Sequence, residues 1–224
     1  MWERALREAL PAMRELLPPG SRVLEVGYGD GLLTCYLVQE HGWRVVGLEV
    51  SPEAQQLAEA QARQSGLADY LDLRCVEAAE VFRHRGQYDG VFIKTVLYNS
   101  PNLGVYARWL DWILSVLKPG GVFINFATGR ANALTQLYRR LRRRAYIDLC
   151  LYTSQVEALY DARFEIIERR YYGGLSQFLA SVPALYFPAS RLEEALRSRH
   201  ADNSFIMSVI ARRPLELKTS WPGN

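Results

Sequence analysis

A glycine-rich turn between a predicted strand and a predicted helix is the feature that most restricts the fold of this chain. Residues 23–31 read VLEVGYGDG, with apolar residues around one glutamate and then glycines at alternate positions. A strand that leads through such a turn into a helix places backbone N–H groups and the positive end of the helix dipole against a ligand. Gly27, Gly29 and Gly31 allow the ligand to approach the backbone where a Cβ atom would obstruct it.

Two acidic residues make this turn more specific than a glycine pattern alone. Glu25 lies two residues before the first glycine, where a dinucleotide-binding turn normally has an apolar residue. Glu49 ends the next predicted strand, roughly 20 residues beyond the last glycine, the position from which an acid binds ribose hydroxyls. The sequence therefore predicts an α/β domain whose first turn binds a ligand that contains ribose.

The segments around the turn alternate between helical and strand patterns. A leading helix is predicted at residues 2–17, and Ser51 with Pro52 begins a later helix as its N-cap and first-turn residues. A strand is predicted at residues 88–93, and ligands bind beyond the carboxyl ends of parallel strands, so residues 94–99 should lie near any substrate. Two sets of apolar residues are expected to face inward from the first two crossover helices: Leu32, Leu33, Tyr36 and Leu37, then Ala54, Leu57, Ala58 and Ala62.

Further along the chain, residues 117–121 read LKPGG and follow a strongly periodic helical pattern. We expect the helix to stop at these glycines, since the proline cannot continue it. With the acidic-x-Gly-x-Gly-x-Gly turn and the YDGVF run at residues 88–92, this motif resembles the class I S-adenosylmethionine-dependent methyltransferases. The resemblance implies a Rossmann-like doubly wound sheet with helices on both faces. The sheet would be mostly parallel, with a final strand at residues 204–214 inserted antiparallel.

The resemblance extends almost to the end of the chain and implies one domain at residues 1–214. Two irregular stretches at residues 129–152 and 171–202 are interpreted as cap-like segments, and residues 215–224 as a tail. The second of these is rich in aromatic residues, which is equally consistent with a lid over the substrate and with ordinary core.

Composition excludes several classes of protein. With 49% hydrophobic and 23% charged residues among 224, the chain has the balance of an ordinary soluble globular protein. Cys35, Cys75 and Cys150 are widely spaced and suggest neither a disulfide framework nor a metal site. The start has no signal-peptide pattern, and no stretch approaches the ~20 apolar residues of a membrane span. We therefore expect a cytoplasmic protein.

The resemblance implies S-adenosylmethionine as the cofactor and S-adenosylhomocysteine as its product. By the family's pattern, Glu25 would bind the amino group of the methionine part. Gly27, Gly29 and Gly31 would bring the backbone close to it, and Tyr28 is placed over it.

The nucleoside part would be bound by residues that end the second and third strands. Glu49 would bind both ribose hydroxyls, and Val50 would pack on the adenine face. Glu77 and Ala78 would meet the adenine edge, although Glu77 stands where the family has aspartate. The other interpretation of Glu77 is an acid at a helix N-terminus, favoured by the helix dipole.

The acceptor side has fewer signals. Tyr98 and Asn99 follow the fourth strand where the family presents substrate-facing polar residues, so they are the candidate catalytic residues. Many members carry histidine at the position of Asn99, and an asparagine cannot act as a base at neutral pH. Lys94 is either a base, a cation for an acidic substrate, or a lysine whose stem is buried while its ammonium stays in water.

The sequence therefore predicts methyl transfer to the O, N or C atom of a small molecule, aromatic or apolar in character. One alternative is an RNA or protein methyltransferase that uses the arginine run at residues 139–144 for phosphates. The net charge of +3 does not itself indicate a nucleic-acid partner. Another alternative is a catalytically silent module that binds the cofactor. The acceptor and the oligomeric state stay open.

Overall fold

The computed structural model describes residues 2–97, 100–128, 153–172 and 206–216. Seven strands form one sheet: β1 (Arg22–Val26), β2 (Arg44–Glu49), β3 (Leu71–Cys75), β4 (Tyr88–Lys94), β5 (Leu117–Thr128), β6 (Glu165–Tyr172) and β7 (Ile206–Arg212). The helices are α1 (Trp2–Leu16), α2 (Leu32–His41), α3 (Pro52–Gln64), α4 (Ala78–Val81), α5 (Leu103–Val116) and α6 (Thr153–Asp161), and a short 3₁₀ turn at Ala68–Tyr70 precedes β3.

The sheet has the strand order β3-β2-β1-β4-β5-β7-β6. Parallel pairs join β1 to β2, β2 to β3, β1 to β4 and β4 to β5, whereas β7 is antiparallel to both β5 and β6. The prediction of a mostly parallel doubly wound sheet with an antiparallel last strand is confirmed. The chain reverses its direction of winding between β1 and β4, and in such sheets the ligand crevice lies beyond the carboxyl ends of the strands at that point.

Apolar side chains fill both faces of the sheet. On one face α1 packs through Ala5, Ala9 and Met13, all fully buried, in a core that it shares with α2. On the other face α5 and α6 cover the sheet, with Leu110 and Tyr160 at 0% exposure. The leading helix thus covers one face of the sheet.

Helix α5 ends at Val116, earlier than the sequence predicted. Leu117 already has extended dihedral angles (φ −76°, ψ 144°), and the LKPGG residues begin β5. Gly120, with φ 75°, lies where the register between β4 and β5 shifts. The prediction that the helix stops at the glycines was wrong because Leu117 already pairs with Tyr88 of β4 as the first residue of β5. Pro119 in addition disfavours a helical conformation at Lys118.

Three side chains that were expected to face inward lie at the surface. Leu32, Tyr36 and Leu57 are 56%, 40% and 60% exposed. The predicted burial of Leu37 in α2 and of Ala58 and Ala62 in α3 is confirmed. The rest of the inward face of α2 is formed by Thr34, Cys35, Val38 and His41. In α3 the inward residues are both alanines, and a Cβ atom on Gly31 would lie only 2.7 Å from Cβ of Ala58, so α3 packs closely against the turn after β1.

The remaining predicted segments lie mainly outside the described residues. Strand β6 continues through Tyr172, two residues into the segment predicted as cap-like at 171–202. The segment at 129–152, with its arginine run, and the rest of 171–202 lie outside, so their roles stay predictions. Within the described ranges no helix is long and apolar enough to cross a membrane.

Candidate functional site

The turn after β1 contains three glycines that all have left-handed backbone angles. Their φ values are 76° for Gly27, 56° for Gly29 and 77° for Gly31. A Cβ atom on Gly27 would lie 2.4 Å from Cγ2 of Val96, and one on Gly31 would lie 2.7 Å from Cβ of Ala58. A Cβ atom on Gly29 would have no neighbour within 4 Å. Gly27 and Gly31 are therefore needed for packing within the protein, and Gly29 is the member of the three that leaves room for a ligand.

Glu49 connects this turn to the end of β2. Its Oε2 atom accepts a hydrogen bond from the backbone N–H of Gly29 at 3.0 Å, and Oε1 accepts from Val50 at 2.7 Å and Ser51 at 3.3 Å. A carboxylate has about four lone-pair sites. The three amides use three of these sites, so Oε2, which accepts only from Gly29, retains capacity for a hydroxyl donor. Val50 beside it is 54% exposed, which presents an apolar surface next to the carboxylate. This combination suits a ribose with an attached flat base.

Glu25 is a buried carboxyl group on the sheet face covered by α1 and α2, with 4% exposure. Burial raises the pKa of Glu25 to about 7, the nearby Thr34 hydroxyl and Lys94 ammonium act in the opposite direction, and the charge of Glu49 raises the pKa further. A cationic ligand group beside Glu25 would favour its charged form. Thr34, fully buried on α2, was not singled out from the sequence, where it is one polar residue in an apolar helical pattern.

Tyr28 points into the protein. Its side chain is 4% exposed, and its hydroxyl donates to the backbone carbonyl of Arg74 at 3.3 Å. The ring lies over Gly47 of β2, where a Cβ atom would be 2.5 Å from Cδ1 of the ring. Because the ring is buried, only the backbone of Tyr28 is open to a ligand. The prediction that Tyr28 contacts the methionine part therefore concerns its backbone and not its ring.

The residues predicted to meet the adenine edge follow β3 directly. Glu77 is the N-cap residue of α4, and its backbone N–H donates to Oε2 of Glu80 at 3.3 Å. The amide of Val76 donates to the carbonyl of Glu49 at 2.8 Å, which holds this segment beside β2. Glu77 and Ala78 are both exposed. Glu77 has the position of a helix cap, and its contact with adenine stays a prediction.

The exit from β4 is strained. Thr95 has φ 57°, a conformation that a β-branched residue rarely adopts. Its amide donates to the carbonyl of Phe126 at 2.9 Å and its hydroxyl to the carbonyl of Lys94 at 2.7 Å. Such strain is typical of functional segments. The sequence held no signal for it, because threonine is a common strand residue.

The candidate catalytic residues Tyr98 and Asn99 lie outside the described residues, so their role stays a prediction. Cys75 at the end of β3 carries an exposed free thiol and is the register partner of Glu49. Among the residues that the structure describes, no group of three or more His, Cys, Asp or Glu side chains is placed to hold a metal ion.

Taken together, the strand order, the antiparallel β7 and the acidic glycine turn define a Rossmann-like domain of the methyltransferase type. Residues 1–158 match the family model described as methyltransferase domain, and the chain belongs to this family.

Individual relatives agree with this assignment. The ubiquinone biosynthesis O-methyltransferase of Escherichia coli (strain K12 / DH10B) is 35% identical over 103 residues, which are 46% of this chain and 40% of the relative. The match thus spans less than half of the length of that relative.

Solved structures share the fold at lower identity. A putative sarcosine dimethylglycine methyltransferase from Galdieria sulphuraria superimposes with a TM-score of 0.67 at 19% identity, over 95% of this chain and 88% of its own. The [4+2]-cyclase SpnF superimposes with a TM-score of 0.63 at 21% identity, over 96% of this chain and 83% of its own.

Proposed function

We propose that this chain binds S-adenosylmethionine at the turn after β1 and transfers the methyl group to a small-molecule acceptor. The observation that carries the proposal is the Glu49 carboxylate, held between the Gly29 amide and the start of α3 and flanked by exposed Val50. The relative and the methyltransferase neighbour are named for ubiquinone, sarcosine and dimethylglycine, which supports a small acceptor. The reaction is proposed to be cytoplasmic.

The residues present fit the cofactor. Glu25 would bind the amino group of the methionine part, since a buried carboxylate needs a cationic partner to remain charged. Glu49 would bind the ribose hydroxyls and Val50 would pack on adenine, with Glu77 and Ala78 at the adenine edge. Open space at Gly29 leaves room for the ligand beside the backbone.

When bound, the cofactor supplies a methyl group on a sulfonium, a carbon already activated for in-line displacement. The protein then has to orient the acceptor, and such positioning accounts for roughly 7–11 kcal/mol of a barrier. Tyr98 and Asn99 are the proposed acceptor-facing residues. Since Asn99 cannot take a proton, we propose that they orient the acceptor by hydrogen bonds.

A second candidate is a module that binds the cofactor without transferring its methyl group. The [4+2]-cyclase among the structural neighbours shows that this fold by itself does not specify methyl transfer. Turnover separates the two candidates. Incubation with methyl-labelled S-adenosylmethionine and a panel of phenolic, amine and carbon acceptors should yield labelled product and S-adenosylhomocysteine for an enzyme, and neither for a silent module.

Calorimetric titration with S-adenosylmethionine and S-adenosylhomocysteine tests the cofactor site directly. We expect micromolar binding, weakened at least tenfold, about 1.4 kcal/mol, by Glu49→Ala. Glu40→Ala is the matched control, because this glutamate pairs with Arg14 at 3.1 Å at the other end of α2. The absence of binding to either compound by the unaltered protein would refute the proposed function.

A further inference from the structure

Lys94 ends β4 as a half-buried cation without a carboxylate partner in the described part of the chain. Its Nζ atom lies 5.4 Å from the centroid of the Trp2 ring in the first turn of α1. Lys118 is different, because its Nζ atom pairs with Oδ1 of Asp89 at 2.7 Å. A partly buried ammonium that makes no direct ion pair with a described carboxylate is suited to bind an anion.

Lys94 and Glu25 lie on the same face of the sheet. Glu25 is the register partner of Phe92, and Lys94 follows Phe92 by two residues, so all three side chains project toward α1 and α2. Two residues along a strand span roughly 7 Å. The two charges are close enough to interact. Burial dominates the raised pKa of Glu25, and the Lys94 ammonium lowers that pKa in part.

The glycine turn borders this pair of charges. Val96, two residues beyond Lys94, packs so closely on Gly27 that a Cβ atom there would lie 2.4 Å from its Cγ2. Thr95 between them holds its left-handed conformation through the hydrogen bond to the carbonyl of Lys94. The backbone that carries the ammonium is therefore fixed beside the turn, and the Trp2 ring packs against the ammonium from α1.

We propose that Lys94 binds the carboxylate of the methionine part of the cofactor while Glu25 binds its ammonium. The inference rests on the proposed function. An amino-acid zwitterion carries both charges on neighbouring atoms, and hydrogen bonds of about 2.8 Å on either side extend it to roughly 8 Å. Residues in this diagonal relation on adjacent strands have Cα atoms roughly 7–8 Å apart, so both side chains can reach the two ends of such a ligand from one face of the sheet. The sheet thus presents one acid and one base to the two ends of one zwitterion.

Decarboxylated S-adenosylmethionine provides the test, because it keeps the ammonium and lacks the carboxylate. Calorimetry should show that the unaltered protein prefers S-adenosylmethionine over the decarboxylated compound by at least tenfold. Lys94→Met should weaken binding of S-adenosylmethionine at least tenfold, leave binding of the decarboxylated compound within twofold, and so abolish the preference. Lys94→Arg should retain part of the preference.

Lys118→Met is the matched control, since it removes the same charge at the amino end of β5, and it should change neither affinity. If Lys94→Met weakened the binding of both compounds equally, the inference would be overturned. Lys94 would then affect the ionisation of Glu25 or the folding of the protein and would not bind the carboxylate. Unchanged binding of both would overturn it as well. Failure of the unaltered protein to bind either compound would refute the proposed function together with the inference, and thermal unfolding of each variant shows whether it folds.

Discussion

The backbone amide of Gly29 donates a hydrogen bond to Oε2 of Glu49 over 3.0 Å, which joins the turn after β1 to the end of β2. The other oxygen of the same carboxylate accepts from the amides of Val50 and Ser51. Three backbone amides therefore orient one carboxylate within the fold itself. A ligand that uses this carboxylate meets it already in place, so less ordering entropy is lost on binding.

Replacing Glu25 should change how stability depends on pH. The pKa of Glu25 is raised by burial to about 7 in the folded protein, from about 4.5 for an exposed glutamate. Its contribution to stability is therefore full below about pH 4.5 and is lost as the pH rises through 7. We expect Glu25→Gln, which cannot ionise, to be more stable than the unaltered protein by about 3 kcal/mol at pH 8.

Urea unfolding at several pH values measures this difference, which should fall below about 1 kcal/mol at pH 5. Glu40→Gln, at an exposed position on α2, is the control and should follow the unaltered protein at every pH. Parallel stability profiles for Glu25→Gln and the unaltered protein would contradict the buried titration.

Cofactor binding should depend on the same proton. An ammonium beside Glu25 favours its ionised form, so the affinity for S-adenosylhomocysteine should rise about tenfold between pH 6 and pH 8. Formation of the complex should therefore release protons near pH 7. Because the buffer takes up these protons, the heat of binding should depend on the ionisation enthalpy of the buffer. Glu25→Gln should show weaker binding with neither dependence. An affinity of the unaltered protein that stays level across this range would argue against contact between Glu25 and the ammonium.

Alanine at two glycines of the turn should have different consequences. Both residues have left-handed φ angles, so each substitution has a backbone cost of about 1–2 kcal/mol. At Gly31 the new Cβ atom would also lie 2.8 Å from Cα of Ala58, which adds overpacking of about 1–3 kcal/mol. Gly31→Ala should therefore be the less stable variant in urea unfolding, and Gly29→Ala should mainly weaken cofactor binding.

The compensating substitution Ala58→Gly removes the Cβ atom that would lie 2.7 Å from the new side chain, and the contact with Cα stays. It should restore part of the stability lost in Gly31→Ala and none of the loss in Gly29→Ala. Equal stabilities for the two single variants would show that the contact with Ala58 has no energetic weight.

Alkylation of Cys75 offers a way to locate the cofactor. Its thiol is exposed at the end of β3 and its register partner is Glu49, whereas Cys35 is buried. We expect saturating S-adenosylhomocysteine to slow the reaction of Cys75 with iodoacetamide at least tenfold. Mass spectrometry of the peptide that contains Cys75 measures the extent of alkylation over time. Glu49→Ala should lose this protection at the same ligand concentration. A ligand that saturates the protein without slowing the reaction would bind elsewhere.

The sequence by itself determined the order of the elements and the position of the turn. Helix and strand periodicity, the Ser51 cap and the acidic residues Glu25 and Glu49 depend on neighbours a few residues away, so each can be read locally. The strands and their order agree with this interpretation, and Ser51 accepts the predicted capping hydrogen bond from Ala54 at 3.1 Å.

Only the tertiary structure decided what each residue of the turn contacts. Gly31 has to lack a side chain because Ala58 lies against it, and Gly27 because Val96 does. Tyr28 points inward because Gly47 leaves room for its ring, and Lys94 lies over Trp2 because α1 packs on the sheet beside β4. Each of these partners is distant in the sequence. A local pattern specifies which element forms, whereas the atoms that fill the space around it come from other elements once they have packed.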